Sequence, residues 1–198
     1  MITLSNVRKK KATHLIGILL IINALQGCVA VTVVALTAGA SMATDRRSIG
    51  NQIDDQSIQV EAYNEITKNK PLNDNTNLHL TSVNGSVLIV GQSPTTVLRD
   101  QALKIIHEIH GVVRVHNQIR IGNVTSITTQ TNDIWLTSKV KTALFSSDKV
   151  NGKNIKVITE NGEVFLMGIV SKNEADAAVD VTRNISGVNK VFKAFEYL

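Results

Sequence analysis

From about residue 55 the apolar and polar positions follow two periods, in the same order, twice. Ile58, Ala62 and Ile66 recur at i, i+4 and i+8, and Leu136, Val140 and Leu144 do the same. That spacing lays one buried stripe along a helix. Asp55 and Asp133 stand just ahead of the stripes and read as N-caps. The period then drops to two, with Leu78 and Leu80 in the first copy and Ile155 and Val157 in the second. Each alternation runs into an Asn-Gly pair, Asn84-Gly85 or Asn161-Gly162, followed by an apolar run. Asn-Gly between apolar runs predicts a β-hairpin, because a type I′ turn needs positive φ at both central residues. Gly91 and Gly168 follow those runs and read as strand-end residues; Gly85 and Gly162 are the turn glycines.

A second helical run follows each hairpin. In the first copy it covers 94–110, with Pro94 at an early helical position and Val97, Leu98, Leu103, Ile105, Ile106 and Ile109 as its apolar residues. In the second it covers 173–186, with Ala177, Ala178, Val181 and Ile185. Gly111 and Gly187 stop these helices, and Gly-Val-x-x-Val begins a last strand in both copies.

Equivalent positions lie 76 to 78 residues apart. Each unit reads αββαβ, an α+β fold in which a hairpin and a crossover helix build a three-stranded mixed sheet with two helices on one face. Units of roughly 65 residues are marginal alone, so the two are expected to pack together. The implied organisation is a leader over 1–27, a tether over 28–52, a first unit over 53–122, a linker over 123–132 and a second unit over 133–198.

The leader has the parts of a secretory signal. Arg8, Lys9, Lys10 and Lys11 form a basic region, and Leu15 to Ile22 an apolar one. Leu25-Gln26-Gly27-Cys28 then resembles the bacterial lipobox, in which the cysteine is acylated and becomes the first residue. Cys28 is the only cysteine of the chain. The competing reading is an uncleaved anchor, since no Asp, Glu, Lys or Arg occurs from Ala12 to Thr44. A reactive thiol has less to support it, because nothing nearby would lower its pKa. Val29 after the cysteine is not the aspartate that marks inner-membrane retention in enterobacterial lipoproteins, which points to the outer membrane.

Charge changes the picture in one respect. The chain carries a formal +5, but removal of residues 1–27 leaves 17 Lys+Arg against 16 Asp+Glu. The basicity belongs to the leader, and no cluster of cations suited to nucleic-acid phosphates remains.

No catalytic constellation emerges, and no cofactor is implied. His107 and His110 are three apart rather than at the zinc-protease spacing, and with His116 they read as a solvated edge rather than a metal site. No serine sits in a nucleophile-elbow context. The expectation is a protein that is not an enzyme.

The copies differ most on the outer face of their first helix. The first copy has Ser57, Val60, Glu61, Asn64 and Thr67; the second has Trp135, Ser138, Lys139, Thr142 and Phe145, flanked by Ile134 and Lys141. An aromatic pair with two lysines suits an anionic phospholipid surface, placing a binding face on helix 133–146. The alternative is that Trp135 and Phe145 cap the core or fill the contact between the units.

The repeated αββαβ unit, with its Asn-Gly hairpin, its glycine after the second strand and its Gly-Val-x-x-Val start to the last, resembles the BON domain. Thr159-Glu160-Asn161-Gly162-Glu163-Val164-Phe165-Leu166-Met167-Gly168 is the most specific block. The resemblance spans nearly all of the chain beyond Cys28, and two such units behind a lipobox resemble the dual-BON outer-membrane lipoproteins. It implies a lipid-anchored, non-enzymatic protein on the periplasmic side of the outer membrane that binds phospholipid and supports envelope integrity. A module for an outer-membrane protein partner is the alternative.

Overall fold

A computed structural model describes residues 45–198, which fall within one compact unit. Cys28, the leader and most of the expected tether lie outside the described residues.

Helix α1 (Ile49–Lys68) and a short helix α2 (Lys70–Asn75) precede strands β1 (Asn77–Val83) and β2 (Ser86–Ser93). Helix α3 (Thr96–Glu108) crosses over to β3 (Arg114–Ile121). The second copy is α4 (Ile127–Phe145), a 3-10 turn at Gly152–Asn154, β4 (Ile155–Glu160), β5 (Glu163–Val170), α5 (Lys172–Arg183) and β6 (Lys190–Tyr197). In each sheet the middle strand pairs antiparallel with its hairpin partner and parallel with the last strand. The expected mixed three-stranded sheet is present twice.

The stripes Ile58/Ala62/Ile66 and Leu136/Val140/Leu144 are buried, each against its own sheet. Middle strands β2 and β5 are covered on both faces. Val87 and Ile89 point into the first helix-backed core and Val164 and Leu166 into the second, while Leu88, Val90, Phe165 and Met167 meet in a third core between the sheets. The order of layers is therefore helices, sheet, sheet, helices. Phe165 stacks on Phe192 with ring centroids 4.7 Å apart. Polar contacts rim the junction: Gln92 donates to Glu160 at 2.7 Å, Asn84 to Glu196 at 3.1 Å, and Arg120 pairs with Glu163.

Several local expectations change. Asp55 and Asp133 are not caps; Ser48 and Ser126 are, and the helices start seven residues earlier than the aspartates suggest. Helix α1 thus takes in the end of the expected tether, and α4 takes in part of the expected linker. The buried aspartates reach across to the hairpins instead. Asp55 accepts from the turn amides of Asn84 (2.8 Å) and Gly85 (3.0 Å), and Asp133 from those of Asn161 (2.7 Å) and Gly162 (2.9 Å). All four turn residues have positive φ, as the hairpin signal requires. Pro94 precedes the Thr95 cap rather than entering α3. Gly91 and Gly168 lie inside their strands, not at the ends. A Cβ on Gly91 would overlap the carbonyl oxygen of Asn77, and one on Gly168 that of Asn154, so close backbone approach dictates glycine there.

Candidate interfacial face on helix α4

Ser126 starts α4 by accepting from the Thr129 amide at 3.2 Å, which satisfies one of the unpaired donors of the first turn. Asp133, Leu136, Val140 and Leu144 face inward. At 100° per residue the opposite sector holds Ile127, Thr131, Ile134, Trp135, Ser138, Thr142 and Phe145. Ile127 is 82% exposed, Ile134 70%, Trp135 66% and Phe145 58%. The face is about 27 Å long, from eighteen steps of about 1.5 Å.

Two of its three polar members are less polar than their names suggest. Ser138 turns its hydroxyl back to the Ile134 carbonyl at 3.1 Å, and Thr131 does so to Ile127 at 2.9 Å. Each satisfies its own donor within the helix, leaving carbon outermost between the large apolar side chains.

The two lysines part company. Lys141 is exposed on one flank. Lys139, on the other, donates to the Ser186 carbonyl at 2.7 Å beyond the end of α5. That bond fixes the ammonium group and leaves it two donors. The core-cap and interdomain alternatives for Trp135 and Phe145 do not fit these positions: both rings stand in solvent, and the contact between the units is made by the sheets.

Ile127 was missed in the sequence because the helix was started at Asp133. The signal was available, since Ser126 is a good cap and Ile127 falls seven residues before Ile134. The first copy is also less polar than expected. Ile49, Ile53 and Val60 form an exposed aliphatic line on α1, but Tyr63, the ring nearest it, is tied by its hydroxyl to the Leu80 amide, and Asp54 and Glu61 lie beside the line.

A cleft of about 290 Å³ lies between the units, lined by Tyr63 and His79 from the first and Ile134, Thr137 and Glu160 from the second. Glu160 is buried, with His79 Nε2 at 3.8 Å. His107 and His110 are exposed, and His116 is half-buried. Burial, aided by Arg114, holds His116 below its ordinary pKa, which favours the neutral ring. Among the described residues, no three His, Cys, Asp or Glu side chains converge as a metal site, and no helix is long and apolar enough to cross a membrane.

Comparison with known proteins adds the ancestry. The BON domain model matches residues 52–123 and again 132–198. The chain is 38% identical over 174 residues to the outer membrane lipoprotein DolP of Haemophilus influenzae, covering 88% of this chain and 90% of that protein. It is 37% identical over 154 residues to the 21 kDa hemolysin of Actinobacillus pleuropneumoniae, covering 78% and 79%. It is 23% identical over 158 residues to osmotically-inducible protein Y of Escherichia coli, covering 78% of each chain.

Proposed function

Because the chain belongs to the BON-domain family, we propose that it is a non-enzymatic outer-membrane lipoprotein, anchored through Cys28 on the periplasmic side, that lays the outer face of α4 on anionic phospholipid. The name of the Haemophilus relative, an outer membrane lipoprotein, supports the location and the lipid anchor. The observation that carries the binding face is the exposure of Ile127, Ile134, Trp135 and Phe145 along one side of a well-packed helix. Tryptophan favours the headgroup layer. Lys139 and Lys141 flank the face and would each meet lipid phosphate at about 1 kcal/mol. Binding of this kind reads charge and interface rather than one headgroup, and would support envelope integrity by holding the protein in a set pose.

The test is co-flotation of residues 44–198 with vesicles containing phosphatidylglycerol. Trp135→Glu places a charge where a ring should enter the interface and should abolish flotation. Undiminished flotation of that variant would sink the site assignment. The cleft at Tyr63, His79 and Glu160 favours a second reading, a module for an outer-membrane protein partner. Crosslinked partner capture that survives Trp135→Glu would support it.

A further inference from the structure

The chain enters the folded body through Asp45, Arg46 and Arg47, and these residues touch both units. Arg47 donates to Asp45 at 2.8 Å and to Asp55 at 2.9 Å, joining the aspartate that holds the first hairpin. Arg46 goes to the other unit. It makes a two-pronged pair with Glu174, at 2.8 and 2.9 Å, and donates to the Ile169 carbonyl at 3.0 Å. Glu174 is itself fixed, because it closes the capping box of α5 with Ser171. Forked pairing of this kind sets direction as well as attraction. Arg46, chiefly through its hydrogen bonds, holds the Glu174 carboxyl down at about 2.

This site lies beside the C-terminal end of α4. Asp45, Arg46 and Arg47 line one small cavity together with Lys153 and Lys156. Gly152, the neighbour of Lys153, packs against the backbone of Leu144 and Phe145 where α4 ends. A line of charge therefore runs from the base of the tether, through Lys156 and Lys153, to the end of the helix that carries the exposed face. Arg46 and Arg47 are neutralised along it by Glu174, Asp45 and Asp55.

We propose that Arg46 is a positioning residue: it docks the base of the tether onto the second domain, beside Lys153 and Lys156 and the end of α4, so that the anchored protein turns the outer face of α4 toward the bilayer holding its own acyl chains. This rests on the reading above that Cys28 is acylated and α4 meets lipid. The chain from the anchor runs covalently into the first domain through α1, whereas the proposed membrane face belongs to the second. Arg46 ties the entry of that chain to the second domain as well.

The experiment uses the full acylated chain in phosphatidylglycerol vesicles carrying brominated acyl chains. Trp135 is the only tryptophan, so quenching of its fluorescence reports contact of α4 with lipid directly. Arg46→Glu should leave the protein anchored but lower the ratio of quenched to unquenched Trp135 about fivefold, the upper end for one surface ion pair. Arg46→Gln serves if the charge reversal fails to fold. Arg120→Ala removes the Glu163 pair between the domains without touching the tether, and should quench like the wild type. Quenching unchanged in the Arg46 variants would overturn the proposal and leave the α4 assignment standing. An equal loss in Arg120→Ala would also overturn it, by reducing Arg46 to a domain clamp. An unquenched wild type would overturn both readings.

Discussion

Asp133→Ala removes the clasp that ties the middle of α4 to the second hairpin. The carboxylate is nearly inaccessible, and its two oxygens take the Asn161 and Gly162 amides at 2.7 and 2.9 Å. A hydrogen bond to a charged group contributes about 1.5–3 kcal/mol. Two such bonds, partly offset by water reaching the turn, give a cost of about 3–5 kcal/mol. That is a large share of the stability of a small domain. Asp133→Asn should also be costly, because its amide group turns a donor toward one of the two turn donors. Urea unfolding measures the effect from the midpoint and slope. Asp54→Ala is the control, being an exposed acid next to the equivalent clasp, and should cost less than about 0.5 kcal/mol. A loss below about 1 kcal/mol in Asp133→Ala would refute the reasoning, since the turn would then hold its geometry without the carboxylate. Asp55→Ala should cost no less, as Asp55 also accepts from Ser82 at 2.7 Å and Arg47 at 2.9 Å.

Gly168→Ala should destabilise by several kcal/mol or prevent folding, because the new methyl overlaps the Asn154 carbonyl, whereas Gly122→Ala meets nothing within 4 Å and should melt like the wild type. Phe165→Ala removes the stacked ring at the centre of the sheet–sheet core and should cost about 3–5 kcal/mol, read by chemical denaturation. Glu174 should contribute stability that is full above its ordinary value of 4.5 and lost as pH falls through about 2. Melting temperature across that window should therefore fall more steeply in the wild type than in Glu174→Gln.

The repeat, the hairpins and the inward helix stripes were legible because each is a short-range pattern. Periodicity fixes a stripe within one element, and Asn-Gly fixes a turn within two residues. The aspartates were misread because the same local rule that finds a cap cannot see a partner nearly thirty residues away. Ser48 and Ser126 were passed over because Ile49 and Ile127, just after them, are exposed and break the buried period. Gly91 and Gly168 look like strand ends in sequence, since nothing local shows that a neighbouring carbonyl will occupy the space of a side chain. The docking of the units had a signal in Val87-Leu88-Ile89-Val90 and Val164-Phe165-Leu166-Met167, runs without alternation that suit strands buried on both faces. Trp135 and Phe145 could not be assigned from their spacing alone, because a helix face covered by another domain and one facing lipid share the same pattern.

The layer order tells against cover by the other domain. Duplication gives each unit a partner, and the partner's sheet covers the one apolar sheet face that the unit's own helices leave open. The interface therefore uses Leu88, Val90, Phe165 and Met167 and makes no demand on the outer side of any helix. Residues there are free of the fold's needs, as Ser57 and Glu61 on α1 illustrate. On α4 the corresponding positions carry Trp135 and Lys139, and the line continues through Ile127, Ile134 and Phe145. Exposed apolar side chains in one row, rather than scattered singly, mark an interaction surface. They contribute nothing to the core that Asp133, Leu136, Val140 and Leu144 complete beneath them. Substituting Trp135 should then separate the two roles cleanly: Trp135→Glu loses vesicle flotation while its urea midpoint stays within about 0.5 kcal/mol of the wild type. A joint loss of both would return the ring to the fold and remove it from the membrane.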